Sequence, residues 1–269
     1  MKPEDFDFLS ALLKERSGLM LKSDKIYLLE SRLTPIARKQ GFENLDGLVQ
    51  KLRVSRTGAL SESVTEAMTT NESFFFRDNT PFELFKTYVL PVMKTNRAGT
   101  KRLRIWCAAA STGQEPYSLA IVLKELASQW AGWNIEIIGT DISPEVLNKA
   151  KDGLYSQFEV QRGLPIQLLM KYFTQEGDLW RISSEIRSMV KYKPFNLLES
   201  FQPLGTFDVI FCRNVLIYFD HPTKAGVLER MRRQVADDGT LFLGAAETVL
   251  GITDKFKPVR GQRGMYQPS

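Results

Sequence analysis

The stretch RIWCAAASTGQEPY, from Arg104 to Tyr117, decides the fold of this chain. Its first residues, together with Leu103, form an apolar run that is typical of a buried strand. Small residues follow from 108 to 113, and Pro116 then stands where a helix opens. The order of strand, small-residue turn and helix is typical of a nucleotide-binding α/β sheet, because small side chains let a ligand lie close to the backbone. A tight turn that binds nothing is the alternative, since the turn holds one glycine where dinucleotide folds usually have more.

A second segment, residues 135–141, is an apolar run that ends in Asp141. An acid at the end of the second strand is placed to accept hydrogen bonds from a ribose diol. Asp141 lies 28 residues after Gly113, which is longer than the spacing of about 20 in dinucleotide sites and implies a long helix between the two strands. The alternative role of Asp141 is to cap a helix near Pro144.

The composition limits the class of protein. The chain has 269 residues, 43% of them hydrophobic and 25% charged, which suits one or two globular domains with a substantial core. The net charge of +5 favours an acidic partner: a nucleic acid, an anionic membrane or an acidic protein. Cys107 and Cys212 fall in apolar runs and are expected to be buried free thiols, and with one histidine they form no metal site. The acidic N-terminal residues do not fit a signal peptide, and no apolar run is long enough to span a bilayer, so we expect a soluble, cytoplasmic protein.

Residues 1–90 are predicted to form an N-terminal helical domain. Apolar residues recur there at helical spacing, and the second helix runs from Ser23–Asp24 to Gly41. Pro35 inside this helix predicts a kink or an early break. Arg32 and Arg38 lie off its apolar stripe, and two interpretations are open: a solvated face, or a basic patch that meets an acidic surface.

A segment rich in aromatic residues, TTNESFFFRD at 69–78, separates these helices from the first strand. Three consecutive phenylalanines cannot all face one way on a helix or a strand, so we expect a wrapped segment. Asn71, Ser73 and Arg77 then lie beside buried rings, where a polar group needs a partner. For Arg77 the simple alternative is a pair with a local acid.

Residues 91–269 are predicted to form the α/β domain. Alternating runs around a Gly-Asp pair assign residues 172–193 to a small antiparallel insertion rather than to a parallel strand. Residues 207–214 are predicted as the fourth strand of the main sheet, whose carboxyl end is where ligands bind in open α/β sheets. Asn196 either hydrogen-bonds an adenine edge or fixes a turn. The single histidine lies in a helix-entry turn and is not expected to be catalytic.

Four segments together carry a family resemblance: TTNESFFFRD, RIWCAAASTGQEPYSLA, IIGTDIS and FDVIFCRNVLIYFD. With them the chain resembles the CheR family of chemotaxis methyltransferases over nearly its whole length. The resemblance implies a Rossmann-like sheet that binds S-adenosylmethionine, with helices on both faces, an N-terminal helical domain and a small antiparallel β insertion. Relatives often have threonine at position 73, and Ser73 keeps the hydroxyl. The implied cofactor-binding residues are Asn71, Ser73, Arg77, Glu115, Asp141, Asn196, Leu197, Arg213 and Asn214.

The resemblance also implies a reaction. Members of this family are protein-glutamate O-methyltransferases, which form glutamate methyl esters on the cytoplasmic helical bundle of chemoreceptors and release S-adenosylhomocysteine. Arg77 and Tyr218 are then the expected catalytic residues: Arg77 holds the incoming carboxylate or the cofactor's own carboxylate, and Tyr218 packs the methyl group. Arg32 and Arg38 are expected to meet the receptor. A glutamate side chain has a pKa of about 4.3 and is already ionised at pH 7, so no general base is required.

Some relatives grip a peptide tether at the receptor tail with the small sheet. The turn Thr174–Asp178 looks short for that purpose, which favours a tether-independent enzyme.

We expect a monomer without bound nucleic acid, membrane insertion or metal, and leave open a regulatory protein partner. One alternative is a nucleic-acid methyltransferase, which the positive charge permits but which usually carries Asn/Asp-Pro-Pro-Tyr/Phe where this chain has Arg213–Leu216. The other is a non-catalytic signalling adaptor, whose sign would be loss of the cofactor residues.

Overall fold

A computed structural model describes all 269 residues, which divide into two compact units. We call them the helical unit, Met1–Thr70 with Tyr218–Thr223, and the sheet unit, Asn71–Ile217 with Lys224–Ser269. The main boundary lies at Thr70 rather than near residue 90, because Phe82, Phe85 and Met93 are buried in the core of the sheet unit. No helix of the chain is both long enough and apolar enough to cross a membrane.

The helical unit contains α1 (Pro3–Ser17), α2 (Ile26–Lys39), α3 (Leu45–Val54) and α4 (Ala59–Met68). Gly18 ends α1 in the left-handed conformation, with φ +78°, and donates its N–H to the carbonyl of Lys14. Pro35 does not break α2, which continues to Lys39. Leu29 and Leu33 are fully buried one turn apart, so packing of this face sustains the helix past the proline.

The sheet unit holds ten strands in two sheets: β1 (Arg102–Ala108), β2 (Asn134–Asp141), β3 (Leu154–Ser156), β4 (Phe173–Glu176), β5 (Leu179–Ile182), β6 (Val190–Pro194), β7 (Phe207–Cys212), β8 (Val235–Leu243), β9 (Phe256–Pro258) and β10 (Met265–Pro268). The main sheet has the order β6-β2-β1-β7-β8-β10-β9. The strands from β6 to β8 in this order are parallel, and β10 pairs antiparallel with both of its neighbours, β8 and β9. The chain moves outward from β1 to β2 and β6 and then returns to β7 on the other side of β1. The gap between the carboxyl ends of β1 and β7 is therefore the topological switch point, where open α/β sheets bind ligands.

Both faces of the main sheet are covered, as expected. The remaining helices are α5 (Thr80–Leu84), α6 (Leu90–Asn96), α7 (Gln114–Glu125), α8 (Pro144–Asp152), α9 (Gln157–Gln161), α10 (Ile166–Tyr172), α11 (Ser184–Arg187) and α12 (His221–Gln234). Ile105 and Cys107 of β1 belong to one apolar cluster with buried residues of α7. Trp106 points to the other face, where its ring lies 5.1 Å from that of Phe201, and Arg230 of α12 lies over the same phenylalanine.

The assignment of residues 172–193 to the antiparallel insertion was partly wrong. The small sheet has the order β3-β5-β4, so it begins earlier, at Leu154. β6 instead pairs in parallel with β2, from Ile137 opposite Val190 to Asp141 opposite Pro194. β6 is the edge strand of the main sheet, with Val190 buried and its neighbour Lys191 exposed. Because one of its faces is exposed to solvent, β6 alternates apolar and polar residues as an antiparallel strand does. This alternation explains why it was assigned to the antiparallel insertion.

Candidate active site

The turn between β1 and α7 is strained and is held by distant residues. Ala109 and Ser111 have positive φ, +60° and +51°, a conformation that costs a non-glycine residue about 1–3 kcal/mol. Ser111 donates its backbone N–H to Oδ2 of Asp141 at 2.8 Å and its hydroxyl to the carbonyl of Asn71 at 2.8 Å. Gly113, at φ +95°, has no room for a side chain, because a Cβ there would lie 2.6 Å from the hydroxyl of Tyr192. The two hydrogen bonds of Ser111 support its strained conformation without a glycine at that position.

Asp141 lies at the carboxyl end of β2, where the sequence placed it. Its side chain is nearly buried, and Oδ1 accepts the N–H of Ser143 at 3.0 Å while Oδ2 accepts that of Ser111. The cap of α8 is Ser143, whose hydroxyl accepts the N–H of Val146. Asp141 therefore does not fill the alternative role of helix cap, and two backbone amides orient its carboxylate. We call the carboxyl edge of the main sheet around the switch point, where Asp141 lies, the switch-point edge.

A buried guanidinium joins three separate segments at the same edge. Arg213 follows β7, and its side chain is 1% exposed. Its Nη1 donates to Oε2 of Glu115 at 2.8 Å, and its Nη2 donates to Oδ2 of Asp78 at 2.7 Å and to the carbonyl of Arg77 at 2.9 Å. Burial raises the pKa of Glu115, and the charge of Arg213 opposes that rise. The start of α7, the end of β7 and the aromatic segment 69–78 thus share one ion network.

The three phenylalanines of that segment face different ways, as expected of a wrapped segment. Phe75 is fully buried, with its ring 5.0 Å from Tyr155 of the small sheet. Phe76, at φ +51°, packs 5.3 Å from Phe82. The ring of Phe74 contacts the guanidinium of Arg77 at 5.3 Å and that of Arg162 at 4.2 Å.

Arg77 does not pair with a local acid. Its Nη1 donates to the carbonyl of Glu72 at 3.1 Å, whereas the Glu72 carboxylate pairs with Arg162 at 2.8 Å. Arg77 and Ser73 are both half-buried. The guanidinium of Arg77 therefore keeps donor groups for a further acceptor.

Asn196 and Leu197 follow β6. The side-chain oxygen of Asn196 accepts the N–H of Leu198 at 3.0 Å, so this residue does fix a turn. Leu197 is buried, and its carbonyl accepts Nη2 of Arg230 at 2.8 Å. The contact of Asn196 with an adenine edge stays a prediction.

Sequence reasoning missed Ser111, described above, and Glu247. The carboxylate of Glu247 accepts backbone N–H groups from both loops that follow β7 and β8, including that of Asn214 at 2.8 Å. Asn214 itself has φ +60°. No motif marks Glu247 in the sequence, where it is one acid in a short loop.

The predicted residues of the helical unit have different settings. Arg32 is half-buried, and its Nη1 donates to the carbonyls of Met68 at 3.0 Å and Thr69 at 2.9 Å at the end of α4. Arg38 is exposed. Tyr218 accepts the N–H of Met20 on its backbone carbonyl at 2.8 Å, and the role of its ring stays a prediction.

Neither cysteine is suited to act as a catalytic nucleophile. Cys107 and Cys212 are fully buried, as expected, and burial raises the pKa of each thiol well above its ordinary value. His221 is exposed at the first residue of α12.

Family models match both parts of the chain, and curated relatives match nearly its whole length. The family model "CheR methyltransferase, SAM binding domain" matches residues 71–265, and "CheR methyltransferase, all-alpha domain" matches residues 4–69. Chemotaxis protein methyltransferase Cher2 of Pseudomonas putida is 40% identical over 268 residues, covering 98% of this chain and 97% of the relative. Chemotaxis protein methyltransferase 1 of Pseudomonas aeruginosa is 41% identical over 266 residues, covering 97% and 96%. Among solved structures, PKMT2 of Rickettsia typhi matches with a TM-score of 0.40 at 15% identity, covering 65% of this chain and 26% of that chain.

The residues at the switch-point edge fit S-adenosylmethionine, the cofactor of the matched domain. This cofactor carries a ribose diol, a carboxylate, and positive charge on its ammonium and sulfonium groups. The carboxylate of Asp141 can accept hydrogen bonds from the diol, and that of Glu115 has the charge to attract the cationic groups. The guanidinium of Arg77 can donate hydrogen bonds to the cofactor's carboxylate. The Nε of Arg213 is buried without a hydrogen-bond partner, which is consistent with a donor that a ligand completes.

Proposed function

The chain belongs to the CheR methyltransferase family, and we propose that it methylates glutamate side chains in the cytoplasmic domains of chemoreceptors. It is an S-adenosylmethionine-dependent methyltransferase of chemotaxis. The observation that best supports the proposed glutamate methylation is the ion network of Arg213, Glu115 and Asp78 at the switch-point edge. This network fixes charged groups where open α/β sheets bind ligands, and Arg213 holds both of its carboxylates in ion pairs.

The proposed product is a glutamate methyl ester. Bound S-adenosylmethionine supplies an electrophilic methyl group on a sulfonium. A glutamate carboxylate, with a pKa of about 4.3, is ionised at neutral pH and needs no general base. The chain has to orient the reactants and exclude water, and alignment alone contributes about 7–11 kcal/mol in favourable cases. We assign ribose binding to Asp141 and packing of the methyl group to Tyr218. Arg77 is assigned to bind a carboxylate, either that of the incoming glutamate or that of the cofactor.

We further propose that the helical unit meets the receptor and that the small sheet does not need a receptor tail. β4 and β5 are joined by only two residues, Gly177 and Asp178, with Gly177 at φ +61°. Such a tight hairpin leaves no extended loop at this position to hold a peptide. Micromolar binding of a receptor tail peptide would contradict this part of the proposal.

The direct test is a radiolabelled methyl-transfer assay against a panel of chemoreceptor cytoplasmic fragments. Label should enter a fragment as a base-labile methyl ester, and glutamine in place of the modified glutamates should prevent it. Titration with S-adenosylhomocysteine tests cofactor binding separately. Binding without labelling of any fragment would favour an adaptor, and labelling of RNA instead would favour a nucleic-acid enzyme.

Asp141→Asn is expected to weaken cofactor binding. The amide keeps the shape of the side chain, but one carboxylate oxygen becomes an NH₂ group that cannot accept. Hydrogen bonds to a charged group are worth about 1.5–3 kcal/mol, so the Kd for S-adenosylhomocysteine should rise on the order of 10- to 100-fold by calorimetry. Asp152→Asn, at the exposed end of α8, is the matched control and should leave the Kd unchanged. An unaltered Kd in Asp141→Asn would argue against ribose binding by this residue.

Arg32 and Arg38 should separate stability from receptor recognition. Arg38→Ala removes an exposed charge, so we expect an unchanged melting temperature and a KM for the receptor fragment raised about two- to fivefold, as for an exposed charge pair. Arg32→Ala also removes the donor to the carbonyls of Met68 and Thr69. That variant should lose about 1–3 kcal/mol of stability in addition. A normal KM in both variants would remove this surface from the proposal.

A further inference from the structure

The carboxylate of Glu247 gathers four backbone amides. Its Oε2 accepts the N–H groups of Asn214 at 2.8 Å and Gly244 at 2.7 Å, and its Oε1 accepts those of Val215 at 3.0 Å and Ile217 at 3.2 Å. The residue is 9% exposed. Hydrogen bonds to an ionised acceptor are about twice as strong as neutral ones, so this carboxylate is the main organiser of the loop 213–217.

The surroundings of Glu247 are shaped around these bonds. Asn214 holds a left-handed backbone conformation, φ +60°, directly after the buried guanidinium of Arg213. A Cβ at Gly244 would lie 2.7 Å from Oε2 of Glu247 and 2.8 Å from Nδ2 of Asn214, so only glycine fits there. Strain of this kind persists only where neighbouring groups impose it, and Glu247 is the group that does so here.

We infer that Glu247 is a positioning residue for methyl transfer. It holds the loop 213–217 at the carboxyl end of β7, and through that loop it orients the side chains of Arg213 and Asn214 at the switch point. It acts through the backbone and is not a catalytic residue. The inference rests on the proposed function for its kinetic consequence, but its structural consequence can be measured without any substrate.

Glu247→Gln is the variant that tests this role. The side chain keeps its volume, but an NH₂ group now faces two of the backbone N–H groups. In the cofactor-free protein, hydrogen exchange of peptides covering 213–217 should become at least tenfold faster, while the strands of the main sheet keep their protection. The Kd for S-adenosylhomocysteine should rise about tenfold and kcat should fall at least tenfold, with the KM for the receptor fragment within twofold of its original value. Glu229→Gln, an isosteric change at an exposed carboxylate of α12, is the matched control and should alter none of these quantities.

A second variant, Gly244→Ala, displaces the same carboxylate while retaining Glu247 and should reproduce the same pattern if Glu247→Gln folds poorly. Normal exchange in the loop, or fast exchange with normal kcat and Kd, would overturn the inference. Faster exchange throughout the main sheet with a proportional loss of active protein would also overturn it, because the role would then be general stability. If the unmodified protein methylates no receptor fragment, the proposed function fails, and the exchange and titration results still decide the role of Glu247.

Discussion

Arg213→Ala is expected to lower the free energy of unfolding by about 3–5 kcal/mol and to abolish measurable cofactor binding. The guanidinium is almost fully buried and bonds to Glu115, to Asp78 and to the carbonyl of Arg77. Removing it leaves the nearly buried Glu115 carboxylate without its counter-ion, and the desolvation cost of that charge is no longer offset. Urea denaturation measures the stability, and calorimetry with S-adenosylhomocysteine measures the binding.

The double variant Arg213→Ala with Glu115→Gln separates the two effects. Neutralising Glu115 removes the uncompensated charge, so part of the lost stability should return. Cofactor binding should stay lost, because both partners of the ion pair are gone from the switch-point edge. Equal instability in the single and double variants would show that the buried carboxylate is not the cause.

The loss of stability should also depend on pH. Burial raises the pKa of Glu115 from its ordinary value of 4.5, and removal of Arg213 should raise it further. A carboxyl group whose pKa is higher in the folded state favours folding below its unfolded pKa, and this contribution is lost as the pH rises through the folded pKa. The stability gap between Arg213→Ala and the original protein should therefore be small near pH 4.5 and widen toward neutral pH. A gap that is constant over this range would contradict the assignment.

Local pattern was sufficient for the frame of the site. The apolar run, the small residues and Pro116 correctly indicated β1, a turn and α7, because each of these signals acts within a few residues. Asp141 was correctly placed at the end of β2 for the same reason. The parallel strand β6 was misassigned because edge position, which its alternation reflects, depends on the whole sheet and not on the strand itself.

The polar connections within the site could not be read from the sequence. The strained turn at Ser111 relies on Asp141 and on Asn71, which are 30 and 40 residues away. Arg32 was correctly placed off the apolar stripe of α2, but periodicity does not reveal that its partners are carbonyls at the end of α4. Glu247 has the composition of an ordinary loop acid, and only the fold brings four amides to it. Side-chain to backbone bonds between distant segments leave no periodic trace.

Arg77→Ala is expected to reduce methyl transfer on the order of 10²-fold or more without unfolding the protein, as expected for loss of reactant alignment. The guanidinium is half-buried, bonds to one carbonyl and makes no ion pair within the chain, so its removal leaves no buried charge uncompensated. Arg162→Ala is the matched control, since Arg162 contacts the same ring of Phe74 but pairs with Glu72. That variant should retain activity within about threefold, a small loss typical of an exposed ion pair. Near-normal turnover in Arg77→Ala would refute the role.

The same variant distinguishes the two carboxylates that Arg77 is proposed to hold. If Arg77 binds the carboxylate of the cofactor, Arg77→Ala should raise the Kd for S-adenosylhomocysteine in proportion to the loss of activity. If it binds the incoming glutamate, that Kd should be unchanged, and the loss should appear in kcat/KM for the receptor fragment. Arg77→Lys sharpens the comparison, because lysine keeps the charge but cannot form the two parallel hydrogen bonds of a guanidinium with a carboxylate. Recovery of binding by lysine without recovery of turnover would place the requirement in orientation of the carboxylate rather than in charge.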